Sequence, residues 1–213
     1  MKRIYVVLLS AVALTGAVSC GSHLPTYYYL IETGPEVTKA EEVISLKVDV
    51  NPVRAPDRYL NRIVFRRGPF EVGFYEYSQW VELPAAMVRR ALINALNESE
   101  LFGQVDLIGS DPAADLDLNS EIESFDQVIE EDEWYAAFDL ILEFNRHDTG
   151  APVWSYRTGA RVKQKGEGEL AAAMSEAVSR ALVQAVSEME QSEELRKLPD
   201  TFAEEKIKSE TRN

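Results

Sequence analysis

Asp115, Asp117, Glu121 and Glu123 recur at even spacings within DLDLNSEIESF, which puts several carboxylates on one side of an extended strand. Two carboxylates flanking one bond are the arrangement that cleaves a glycosidic link. Here, though, the acids alternate with Leu116, Leu118 and Ile122. The run therefore reads as the solvent side of a half-buried strand, and no pair stands out from its neighbours. The two histidines, His23 and His147, form no His-x-x-x-His pair and join no set of cysteine ligands. No Gly-x-Ser-x-Gly elbow is present, and Lys165-Gly166-Glu167-Gly168 lacks the Gly-x-x-x-x-Gly-Lys frame of a P-loop. The sequence points away from an enzyme: it names no catalytic residue, no metal ligand and no diffusible cofactor.

The one side chain placed for chemistry is Cys20, the single cysteine of the 213 residues. Lys2 and Arg3 precede an apolar run at 4–14, interrupted only by Ser10, of the length of a signal-peptide h-region. A membrane-spanning helix needs roughly 20 such residues. Ala17, Val18 and Ser19 then lead into Cys20, an order that resembles a bacterial lipobox with alanine where leucine is commonest. The expected product is a thiol joined to diacylglycerol, cleavage of residues 1–19, and an acyl chain such as palmitate on the new amine. One chain anchors only marginally at about 0.8 kcal/mol per buried methylene, whereas two or three make attachment durable. The bland alternative is a plain secretory signal with an incidental cysteine nearby. It would leave an unpaired thiol in an oxidising compartment. Gly21 follows the cysteine where aspartate would favour inner-membrane retention, so the expected site is the outer membrane, facing the periplasm.

These positions need a folded body behind them. Residues 27–31 and 43–50 read as strands, the second alternating Leu46, Val48 and Val50 with Lys47 and Asp49. Pro52 and Pro56 impose an extended, irregular passage. Strands at 62–67 and 70–75 flank Gly68-Pro69 as a hairpin, and 77–80 leads into a helix whose regular part begins at Pro84. Leu83, Met87, Ala91, Leu92, Ala95 and Leu96 give that helix one apolar stripe. A short strand at 105–108 and a turn at 109–112 precede the acidic strand at 115–125, where Phe125 breaks the alternation as at a bulge or strand end. The acids at 130–133 read as a solvated turn. Residues 134–145 and 152–163 form a second hairpin, and 169–189 a long helix striped by Leu170, Met174, Ala177, Val178, Ala181, Leu182, Val186 and Met189. Residues 191–213 are highly charged, carry Pro199 and show little apolar periodicity, which reads as a flexible tail. The expectation is an α+β domain: a largely antiparallel sheet with two amphipathic helices packed on one face. Its divisions are 1–19 leader, 20–26 lipidated tether, 27–190 domain and 191–213 tail. Tyr27, Tyr28, Tyr29, Phe70, Phe74, Tyr75 and Trp80 fit core and sheet-face packing better than an acyl-chain groove.

Composition sets outer bounds. Hydrophobic residues make up 46% of the chain, enough for a core. The net charge is −14, and about −16 once Lys2 and Arg3 leave with the leader. Such a chain repels phosphate backbones, which excludes nucleic acid as a partner. With one cysteine, no intramolecular disulfide can form, so the fold stands on its core.

The order of these pieces resembles one family. A lipobox is followed by TYYYLI, then ISLKVDVNPVRAPDRYLNRIVFRRG, an aromatic hairpin, and WVELPAAMVRRALINAL with LFGQV behind it. This resembles the ABC-type transport auxiliary lipoproteins, the family of paraquat-inducible protein C. The resemblance covers residues 27–125 best, through the Tyr-Tyr-Leu opening, Tyr59-Leu60 with Arg62, and Trp80 starting a helix. It departs at Trp80-Val81-Glu82-Leu83-Pro84, where members carry a tighter Trp-Ala-Glu-Pro-Leu-like start, and in the acidic tail. The resemblance implies a non-enzymatic outer-membrane lipoprotein working beside an MCE-domain protein and an ABC permease in moving lipids between membranes. Homo-oligomerisation stays open. Asn51, Pro52, Val53, Arg54, Ala55, Pro56 and Asp57 are the expected docking segment, since extended edges pair readily with partner strands. The competing expectation is a lipid-binding or structural envelope lipoprotein that needs no MCE partner.

Overall fold

A computed structural model of the chain describes residues 24–32, 34, 36–107, 113–166 and 168–210. The leader, Cys20, Gly21, His23 and the expected turn at 109–112 lie outside the described residues.

The fold is organised on one long strand. β1 (Tyr27–Tyr29), β2 (Ile44–Val50), β3 (Arg62–Arg67), β4 (Glu71–Trp80), β5 (Phe102–Leu107), β6 (Leu116–Glu130), β7 (Glu133–Arg146) and β8 (Pro152–Lys163) make a single sheet. Alternation in β6 sends Leu116, Leu118 and Ile122 to one face and Asp117, Asn119 and Glu121 to the other. One edge of β6 pairs antiparallel with β7 along nearly its whole length, and β7 pairs antiparallel with β8. The other edge is shared in parallel by two shorter strands, β2 at 116–118 and β3 at 126–129. Two wings follow: β2–β5, parallel, and β3–β4–β1, in which the hairpin is antiparallel and β1 is added in parallel. The sheet is thus mixed, and its longest pairings are antiparallel. The α+β class is as the sequence led one to expect.

Where the alternation fails, the backbone shifts. The β6–β7 register slips between Ile122 and Ser124, a bulge that returns Phe125 to the buried side. The strand then continues to Glu130 rather than ending at Phe125. Glu131 and Asp132 close the hairpin with φ of 48° and 64°, left-handed positions that short polar and acidic side chains tolerate in tight turns. In the β3–β4 wing the ring of Phe65 lies over Gly73 of its paired strand. A Cβ there would fall 2.2 Å from Phe65 Cζ, so only glycine fits beneath the ring.

Two helices fill the apolar face. α1 (Pro84–Ser99) starts with Pro84 in its first turn and ends at Glu100, whose φ of 50° is left-handed. α2 (Leu170–Gln191) lies on β7 and β8, with Met174, Ala177, Val178, Ala181 and Leu182 fully buried. Each large apolar side chain so buried contributes roughly 1.5–3 kcal/mol before conformational entropy is counted. Thr158 Oγ1 donates to Ala181 O at 2.8 Å, so the polar side chain that β8 turns toward the helix is satisfied.

Two expectations change. Trp80 is the last residue of β4 rather than the start of a helix; it is 1% exposed and packs edge-on to Phe125. The segment expected as a flexible tail forms α3 (Glu193–Glu210), which passes through Pro199. Its charge hides a short apolar set: Leu195 is fully buried, and Leu198 and Phe202 pack on the core. Arg146 fixes the far end, pairing with Glu205 at 2.8 Å while lying over the Phe202 ring.

Candidate interaction surface

The expected docking segment, residues 51–57, is stitched into the sheet. Asn51 N donates to Leu118 O at 3.0 Å, Arg54 N to Ser120 O at 2.9 Å, and Ile122 N to Arg54 O at 2.8 Å. The segment bridges the interval between β2 and β3 on the free edge of β6, with Arg54 aligned to Glu121. Its backbone groups on that side are spent, so it offers no strand edge there. Val53 is buried, Asn51, Ala55 and Pro56 are half-buried, and Pro52, Arg54 and Asp57 point outward. What it presents is side chains.

The acidic residues of β6 line the open face of the sheet, opposite the helices, and most meet a base. Asp117 pairs with His147 at 2.9 Å, Glu121 with Arg54 at 3.3 Å, Glu123 with Arg157 at 2.5 Å and Glu130 with Arg161 at 2.5 Å. Asp115 serves the backbone instead, its Oδ2 accepting from the Lys47 N–H at 2.8 Å. The hydrogen bond and charge of Asp117 raise the pKa of His147, and the Arg161 hydrogen bond lowers that of Glu130. Asp126 differs: burial pushes its carboxyl upward, against the pull of the Tyr59 hydroxyl and of Arg66 and Arg58. Burial and the Asp126 charge in turn push the Tyr59 phenol up to about 12. Among the described residues no three His, Cys, Asp or Glu side chains are grouped to hold a metal. The open face is a lattice of paired charges.

The β1–β4 wing is the apolar counterpart. Tyr27, Tyr28, Phe70, Val72, Phe74 and Tyr77 all expose more than a third of their surface, and Phe70, in the β3–β4 turn, is 94% exposed. β1 covers β4 only at Ser78, Gln79 and Trp80, which leaves the first part of the outer edge of β4 without a paired strand among the described residues. Beside it a groove of about 350 Å³ is lined by Tyr29, Ile63, Tyr75, Gln127 and Leu170. The Tyr75 hydroxyl donates to Gln127 Oε1, and Gln127 Nε2 donates to Gln164 Oε1 at 3.0 Å, so the groove has a polar floor. The aromatic cluster read from the sequence is therefore split. Trp80 is core, Tyr29 and Tyr75 are half-buried at the groove, and the others are surface. Nothing local in the sequence separates these fates, because all sit in similar strand text.

The family model for the ABC-type transport auxiliary lipoprotein component matches residues 28–186, from β1 to near the end of α2. The chain belongs to that family. Solved structures agree on the fold of the transport auxiliary lipoprotein domain. Protein XCC0632 from Xanthomonas campestris, of the DUF330 family, superposes with a TM-score of 0.64 at 19% identity, over 83% of this chain and 99% of that one. A second, uncharacterized protein superposes with a TM-score of 0.57 at 15% identity, over 79% and 98%. No curated protein matches the sequence. α3 lies beyond the residues that the family model matches.

Proposed function

We propose that this transport auxiliary lipoprotein is anchored by diacylglycerol and an N-acyl chain on Cys20 in the outer membrane, facing the periplasm. There it acts without catalysis as the docking component of an MCE/ABC-type intermembrane lipid transport system. The family match over residues 28–186 carries this reading. Support comes from the lipobox-like order before Cys20, and from Gly21 in place of an inner-membrane retention signal. The side chains of Pro52, Arg54 and Asp57, outward from a segment fixed to β6, form a rigid docking patch for the periplasmic partner. The test is the mature protein from native membranes. Intact mass and membrane fractionation should give a chain beginning at an acylated Cys20 in the outer-membrane fraction; an unacylated chain, or recovery with the inner membrane, would overturn the anchor or its placement.

A further inference from the structure

Phe70 is 94% exposed at the end of the β3–β4 hairpin, carried by Gly68, whose φ is +64°, and by the stiff ring of Pro69. Among the described residues nothing lies within 4 Å of a Cβ built on Gly68, and the Phe70 ring beyond it is left to solvent. A phenylalanine displayed in this way gains nothing for folding. Its use depends on what faces that end of the sheet.

The register of β1 indicates what does. β1 runs parallel to β4, with Tyr27 opposite Ser78, so the chain enters β1 from the side on which β4 begins and the turn lies. From Ser78 back to Glu71 is roughly 23 Å at about 3.3 Å per residue. From Tyr27 back to Cys20 is the same number of residues, a reach of at most about 25 Å. A lipid anchor at Cys20 is thereby kept within one strand length of Tyr27, a span long enough to include the level of the turn. Leu24 and Val72, each more than half exposed, flank the same path.

Charge decides the kind of contact. Near the tip, Arg66 is paired with Asp126 and Arg67 with Glu71. The neighbouring β6–β7 turn, brought close by the pairing of Arg67 with Ile129, presents Glu131 and Asp132. Among the described residues at this end, no net positive patch is left to draw anionic headgroups. We propose that the turn at 68–70 is a second membrane contact, Phe70 entering the interfacial layer of zwitterionic phospholipid in the same bilayer that holds the acyl chains of Cys20. The inference rests on the lipidation proposed above. An apolar tip beside the anchor orients the domain as well as tethering it, since two contacts fix a tilt that one chain leaves free.

With Cys20 acylated, Phe70→Cys supplies the only free thiol of the chain, and an environment-sensitive fluorophore on it reports the surroundings of the tip. The full-length lipidated variant is reconstituted into vesicles of phosphatidylethanolamine and phosphatidylcholine. Glu98→Cys, exposed near the C-terminal end of α1, serves as the control. The expected result is a blue-shifted emission, protected from aqueous iodide and insensitive to salt, at position 70 and not at position 98. Water-like emission at position 70, in protein whose mass shows an acylated Cys20, overturns the tip and leaves the anchor standing. A mass without acyl chains overturns both.

Discussion

Arg66 Nε stands 2.6 Å from Asp126 Oδ2, and Asp126 is 2% exposed. This pair ties β3, and with it the whole β3–β4–β1 wing, to the central strand on the face away from the helices. Burial alone would favour a neutral Asp126; the guanidinium and the Tyr59 hydroxyl oppose that. Arg66→Met therefore leaves a buried acid without its paired cation, only Arg58 still acting on it, and should destabilise the fold by about 3 kcal/mol. The double variant Arg66→Met/Asp126→Asn should recover part of that loss. Denaturant titration of the four members of the cycle checks this, and a double variant no better than the single one would contradict it.

His147 gives a pH signature. Asp117 raises its pKa in the folded state above the ordinary 6.5. The contribution is complete below the unfolded pKa of about 6.5 and is lost as pH rises through the higher folded value. The melting temperature of the wild type relative to His147→Asn should thus be highest at about pH 6 and converge with it in the alkaline range. A gap that does not change with pH would show that the ion pair contributes nothing.

The C-terminal helix is part of the fold rather than an appendage. Leu195 is fully buried, and Arg146 is held between Asp148, Glu205 and the Phe202 ring. Leu195→Ala should cost about 2–3 kcal/mol, near the low end for a buried leucine because α3 is a peripheral element. Truncation after Gln191 should lower the melting temperature further. Equal melting of full-length and truncated chains would contradict this packing.

Much of this architecture is legible in the sequence, and the exceptions have physical causes. Arg62–Arg67 and Pro152–Lys163 announce themselves by β-rich text between turn residues, and Pro84 marks the first turn of α1. The break at Phe125 does signal a bulge, but local text cannot say that the strand goes on, because continuation depends on β7 pairing alongside. Residues 51–57 look irregular because of two prolines, yet parallel backbone bonds to β6 hold them, a partner distant in sequence. The charge of α3 hides it: three apolar residues suffice once a core lies beneath them. Of the expected site, Cys20 and Gly21 are read from order alone, while the exposure of Phe70 comes only from the fold.

The proposed docking patch can be probed without disturbing the core. Arg54 is largely exposed and meets Glu121 at 3.3 Å, so Arg54→Glu should change stability by no more than about 1 kcal/mol. The same change should reduce recovery of the periplasmic partner severalfold from native membranes. Unchanged partner recovery with this variant would move the docking surface elsewhere.

In the function proposed above, this lipoprotein works by holding a transport partner at the membrane. The decisive experiment is co-purification of the full-length lipidated protein from native membranes under gentle extraction, with associated proteins identified by mass spectrometry. The expected result is enrichment of an MCE-domain protein, with or without its ABC permease. Recovery of folded, lipidated protein free of any MCE-domain partner would contradict that function and leave an envelope lipoprotein that acts alone.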